Sequence, residues 1–177
     1  MTPPRNFLAT ITRMAMLAAL LGAAPAAAGP SEYEVKTQFV RHFATFVEWP
    51  GAATTLRLCI QGRDLFGTAL ESLRGTLVKD RRVEIATLGV KDDIHECQIL
   101  FVPTSAERYL ERIVALARGA GILIVGDTEG YAQRGAMINF YLEAGKIRFE
   151  INQDAIRQSG LKVSSKLLSL GKAAESR

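Results

Sequence analysis

Beyond Pro30 the apolar residues switch between a helical and a strand period. Ser31-Glu32-Tyr33-Glu34 has the S-x-x-E spacing of a capping box, and Val35, Phe39, Phe43, Phe46 and Val47 follow on one helical face until Trp49-Pro50. Leu56 to Ile60 reads as a buried strand. Leu65, Phe66, Ala69, Leu70 and Leu73 then predict a short helix closed by Gly75. Val83 to Leu88 and Gln98 to Val102 predict a second and a third strand. Thr104-Ser105-Ala106-Glu107 is another capping-box spacing, opening a helix through Tyr109, Leu110, Ile113, Val114 and Ala117, and Ile122 to Val125 makes a fourth strand. Ala136 to Leu142 and Ile147 to Ile151, separated by Glu143-Ala144-Gly145-Lys146, predict a hairpin with Gly145 in a left-handed conformation. Asn152 to Ser159 and Ser164 to Leu170 read as two short helices.

Strands alternating with helices over the first two thirds predict an α/β fold. Its sheet is mixed and largely parallel, with helices on both faces, the first four strands in the order 2-1-3-4, and the C-terminal β-hairpin extending one edge. No repeat or linker-like stretch interrupts residues 29–177, which are expected to form one domain.

The preceding residues read as an address. Arg5 and Arg13 supply a positive n-region, Met14 to Ala24 a short apolar run, and Ala26-Ala27-Ala28 the small residues before a cleavage site, so residues 1–28 are expected to be a signal peptide removed after Ala28. The run is well below the ~20 apolar residues needed to span a bilayer. Of the 22 basic residues two lie in this segment, so the remainder carries 20 basic against 18 acidic residues. That balance, with no basic stripe interleaved with aromatics, argues against nucleic-acid binding. Cys59 and Cys97 both lie in the exported part, where an even count favours one disulfide. In a 2-1-3-4 sheet their strands are neighbours, which brings the pair within bonding reach.

Catalytic constellations are not apparent. Gly62-Arg63-Asp64-Leu65-Phe66-Gly67-Thr68 has the glycines of a phosphate loop without its lysine. Only His42 and His95 are available as general bases, and His95 next to Cys97 in an extended segment does not aim at a common atom. The cysteines are not in C-x-x-C spacing, and Asp92, Asp93 and Glu96 lack the pattern of a calcium loop. The chain is therefore read as a non-enzyme with no cofactor and no metal. Asp127, Glu129, Glu143 and Glu150 remain open as carboxylates that converge only in space.

Several blocks together resemble the YfiR-like family. They are Tyr33-Glu34-Val35-Lys36 through Phe46-Val47-Glu48-Trp49-Pro50, then Leu58-Cys59-Ile60-Gln61-Gly62, Cys97-Gln98-Ile99-Leu100-Phe101, Phe149-Glu150-Ile151-Asn152, and Ser159-Gly160-Leu161-Lys162 through Leu168. The resemblance implies a periplasmic repressor that binds the periplasmic domain of an inner-membrane diguanylate cyclase (YfiN-like), restrains cyclic di-GMP signalling and biofilm formation, forms a homodimer, and responds to redox state. A second cysteine pair that the family's best-known member carries near the hairpin has no counterpart in Ile138 to Leu142. That absence leaves a redox switch of this kind without its thiols.

A regulator needs an exposed patch on a rigid element. The hairpin and the helix after it are the expected place, with Glu150 and Ile156 as candidate partner-binding residues. The alternative reading is a periplasmic small-ligand binder, or an accessory sensor for a membrane receptor. Its pocket would lie at the carboxyl ends of the parallel strands near Gln61-Gly62, Pro103-Thr104 and Gly126-Asp127.

Overall fold

The computed structural model describes residues 29–51 and 53–174; the expected export segment, residues 1–28, lies outside them. Helix α1 (Glu32–Phe46) opens with the capping box read from the sequence, Glu34 N donating to Ser31 Oγ (3.3 Å) and Ser31 N to Glu34 Oε2 (2.6 Å). Its inward face is rotated by about one residue from the aromatic stripe. Lys36, Thr37, Val40, Phe43 and Ala44 are buried, while Val35, Phe39 and Phe46 stay half-buried. The helix ends at Phe46, earlier than expected, because the next two residues become β1 (Val47–Glu48) and pair antiparallel with β9 (Lys162–Val163).

The main sheet is built from β2 (Thr55–Gln61), β3 (Leu77–Val78), β4 (Arg81–Leu88), β5 (Ile99–Val102), β6 (Leu123–Gly126), β7 (Ile138–Glu143), β8 (Lys146–Ile151) and β10 (Lys172–Ala173). Their order is β10-β8-β7-β6-β5-β2-β4-β3. The four strands expected to be parallel are parallel, and the 2-1-3-4 order appears as β4-β2-β5-β6. β7 adds in parallel to β6, and β8 returns antiparallel as the second arm of the hairpin. Every residue of β5 and β6 is buried, as a central parallel pair covered on both faces must be. On one face Phe39 and Phe43 of α1 meet Phe140 and Phe149 of the hairpin, with ring centroids 5.0 to 5.9 Å apart. On the other lies α3 (Leu110–Ala117), packed so closely that a Cβ added to Gly135 would stand 2.7 Å from Val114.

Two local expectations are corrected by tertiary partners. Helix α2 (Thr68–Glu71) is a single turn, because Asp64 Oδ1 accepts from Phe66 N and Gly67 N and holds that stretch in a turn. Phe66 and Leu73 are buried from outside the helix, and Leu65 is exposed. The second capping box does not form, and Thr104–Tyr109 is a 3-10 helix leading into α3. Thr104 Oγ1 bonds Thr128 Oγ1 (2.6 Å), Ser105 Oγ accepts from Arg63 N (2.9 Å), and Glu107 holds Arg134 (2.9 Å), so all three polar groups are spent elsewhere. The last two helices, α4 (Gln153–Ser159) and α5 (Ser165–Leu170), fall where the sequence places them.

Candidate partner-binding surface

The alternation of β8 sends Phe149 and Ile151 into the core against α1 and turns Glu150 to the opposite face, as the sequence pattern requires. Glu150 is half-buried and tethered there. Asn139 Nδ2, from the adjacent strand β7, donates to its Oε1 at 3.1 Å, and Gln133 Nε2 donates to its Oε2 at 3.5 Å. Asn139 is only 1% exposed, so its position is set by the sheet, and it holds the Glu150 carboxylate in one orientation. Ile156 lies on α4 and is 6% exposed, which makes it a core residue that shapes the surface from beneath.

Asn152 joins the two. It caps α4 by accepting from Ala155 N (2.9 Å) and ties the cap to the 3-10 helix Ala132–Arg134 by donating to Ala132 O (2.6 Å). Glu150 and Ile156 are therefore brought to one region of the molecule, on consecutive elements sharing one capping residue. Beside them lies a cavity of about 260 Å³, whose lining includes Val114, Arg118, Gln133, Met137, Asn152 and Gln158.

At the carboxyl ends of the strands, side chains pack closely over Gly62 and Gly126, and an open groove of about 500 Å³ lies beside them, lined by Thr104, Ser105, Glu107, Arg108 and Arg134. A Cβ on Gly62 would lie 2.9 Å from Ser105 Oγ, and one on Gly126 only 2.5 Å from Tyr131. Lys36 closes the same end. It is 3% exposed, donates to Asp127 (2.7 Å) just after β6, pairs with Glu32 (2.5 Å), and lies 4.7 Å from the Tyr33 ring. Sequence reasoning missed this clamp, whose one visible signal was a lysine at an inward helical position. A larger groove of about 960 Å³ runs along the outward side of α1, lined by Pro30, Val35, Gln38, Phe39, His42 and Ser72 among others, and contains neither Glu150 nor Ile156.

Cys59 and Cys97 form a disulfide, with Cα atoms 5.9 Å apart and a sequence separation of 38. Cys59 lies within β2 and is fully buried; Cys97 sits in the turn that leads into β5 and is 2% exposed. Gln98 follows, its amide donating to Arg57 O and its side chain accepting from Arg57 N, while its carbonyl accepts from Trp49 Nε1 (2.9 Å). The bond is thus one strut of a joint between α1's exit, β2 and β5.

The protein is a mixed, largely parallel α/β sheet cross-braced by a buried disulfide, with a tethered acidic group on its terminal hairpin. Among the described residues no helix is long and apolar enough to cross a membrane. The family model described as YfiR/HmsC-like matches residues 33–172, and the chain belongs to that family.

Proposed function

We propose that this protein is a periplasmic regulator that binds the periplasmic domain of an inner-membrane diguanylate cyclase and holds its output low. The family match over most of the chain carries this reading. A disulfide between buried cysteines suits an oxidising compartment and supports the periplasmic placement. The working form is the single domain of residues 29–177, a homodimer, acting by stoichiometric binding without catalysis or cofactor. Glu150 and Ile156 are assigned to the partner surface. Glu150 presents a fixed carboxylate to the partner, while Ile156 sets the position of α4 beneath it.

The test separates binding from folding. Glu150→Lys and Ile156→Ala are each compared with wild type for thermal unfolding and for capture of the cyclase's periplasmic domain. Glu150→Lys is expected to keep the wild-type unfolding temperature within a few degrees and to lose capture, whereas Glu150→Gln, whose one amide oxygen keeps the hydrogen bond from Asn139 but carries no charge, loses part of it. Ile156→Ala removes a buried side chain at a cost of about 2–5 kcal/mol, so its capture is read at a temperature where it remains folded. Full capture by Glu150→Lys removes this surface from the interface.

A further inference from the structure

The hairpin outruns the sheet that holds it. β6 pairs with β7 only at Ile138 and Asn139, and β10 pairs with β8 only at Glu150 and Ile151. Glu143 and Lys146 close the hairpin across Ala144 and Gly145, whose φ values are 49° and 73°. A two-residue loop of this kind makes the closing pair a hydrogen-bonded one, after which bonded and non-bonded pairs alternate. Asn152 N donating to Met137 O (2.9 Å) keeps the same alternation at the far end. Ile147, Phe149 and Ile151 therefore aim their backbone groups away from β7. The Ile151 carbonyl accepts from Ala174 N (2.9 Å), but the β10 ladder stops short of Ile147, whose outward N–H and C=O have no hydrogen-bond partner among the described residues.

The side chains around this open edge have a definite pattern. Lys146 and Arg148 are exposed on one face, and Lys172 stands exposed beside Glu150. On the other face Ile147 is half-buried and its cross-strand neighbour Leu142 is 63% exposed. Among the described residues Arg148 is held only by a loose, solvent-exposed contact to Glu143 at 3.7 Å. A second copy of the strand is a poor occupant, because antiparallel pairing of β8 with itself sets lysine and arginine against one another, and like charges directly across a sheet are destabilising.

We propose that the outer edge of β8 at Ile147–Phe149 takes up an extended segment of a partner protein as an added strand, and that this segment alternates acidic with apolar residues. Main-chain hydrogen bonds to the N–H and C=O of Ile147 and to the N–H of Phe149 supply affinity, the Phe149 carbonyl being taken by β10. Acidic side chains facing Lys146 and Arg148, and apolar ones facing Ile147 and Leu142, supply specificity. The proposal deepens the regulatory reading and rests on it for the partner's identity, since the edge belongs to the strand that carries Glu150.

The test is a titration of the ¹⁵N-labelled protein with two synthetic peptides, acetyl-VEVEVEV-amide and acetyl-VKVKVKV-amide, followed at each backbone amide. The acidic peptide is expected to shift and protect the amides of Ile147 and Phe149 and to bind about tenfold tighter than the basic one at low salt. Ile147→Pro removes the outward donor while leaving the β7–β8 hydrogen bonds in place, and abolishes the effect. Should that variant unfold, reversing both Lys146 and Arg148 to Glu inverts the peptide preference instead. Perturbation of neither amide, equal binding of both peptides, or no inversion in the charge-reversed protein overturns the proposal. The regulatory reading fails separately. If cyclase capture by the wild type is unchanged in folded Ile147→Pro, the edge is excluded and regulation stands. If peptide binding follows the prediction but gene deletion leaves cyclic di-GMP unaltered, regulation is excluded and the edge stands.

Discussion

Lys36 occupies a position on α1 where the surrounding pattern would accept leucine, and its ammonium is neutralised by Asp127 and Glu32 inside the protein. Burial alone would push this lysine's pKa down, yet the hydrogen bonds to Asp127 and Glu32 outweigh it and hold the group above its ordinary value of 10.5. A proton bound more tightly in the folded state stabilises that state. The contribution is complete below pH 10.5 and fades as pH rises through the raised value. Lys36→Met leaves Asp127 buried without its cation and is expected to lower stability by about 3–5 kcal/mol in urea unfolding. The double variant Lys36→Met, Asp127→Leu recovers most of that loss. Equal stability of Lys36→Met and wild type shows that the clamp contributes nothing. In the sequence only the lysine's inward helical position was visible; the clamp itself was not legible, because its partner Asp127 lies 91 residues away. Glu150 shares that difficulty. Its alternation was readable from β8, but the hydrogen bonds that tether it come from Asn139 and Gln133 on other elements.

At the scale of elements, the long patterned segments were legible and the short ones were not. The parallel order β4-β2-β5-β6 follows from apolar runs alternating with helical spacing. Two-residue strands such as β1, β9 and β10 are too short to show any period. The two capping boxes make the contrast sharper. Ser31 and Glu34 cap α1 because no tertiary partner among the described residues competes, whereas Thr104, Ser105 and Glu107 carry the same spacing and are claimed by Thr128, Arg63 and Arg134. The disulfide prediction depended on strand adjacency, and β2 and β5 are indeed paired through Leu58–Ile99, Cys59–Leu100 and Ile60–Phe101. Closing a loop of this length constrains the unfolded chain by roughly 3–4 kcal/mol. Replacing both cysteines by alanine is expected to lower unfolding stability by about that amount, and a reducing agent should weaken wild type but not the variant. Indifference of the wild type to reductant under unfolding conditions would show that the bond is not formed in the isolated protein.

For the whole molecule, export and regulation are one claim in two parts. The n-region, apolar run and small residues of residues 1–28 predict that protein recovered from the periplasm begins at Gly29, which intact mass measures directly. A mature chain retaining Met14 to Leu21 contradicts the processing. Regulation is tested most directly by cellular cyclic di-GMP. On the proposed function, deleting the gene is expected to raise cyclic di-GMP, which is expected to return to its original level when the wild-type protein is supplied again, but not when Glu150→Lys is supplied. An unchanged cyclic di-GMP level on deletion, under conditions where the cyclase is present, contradicts the account.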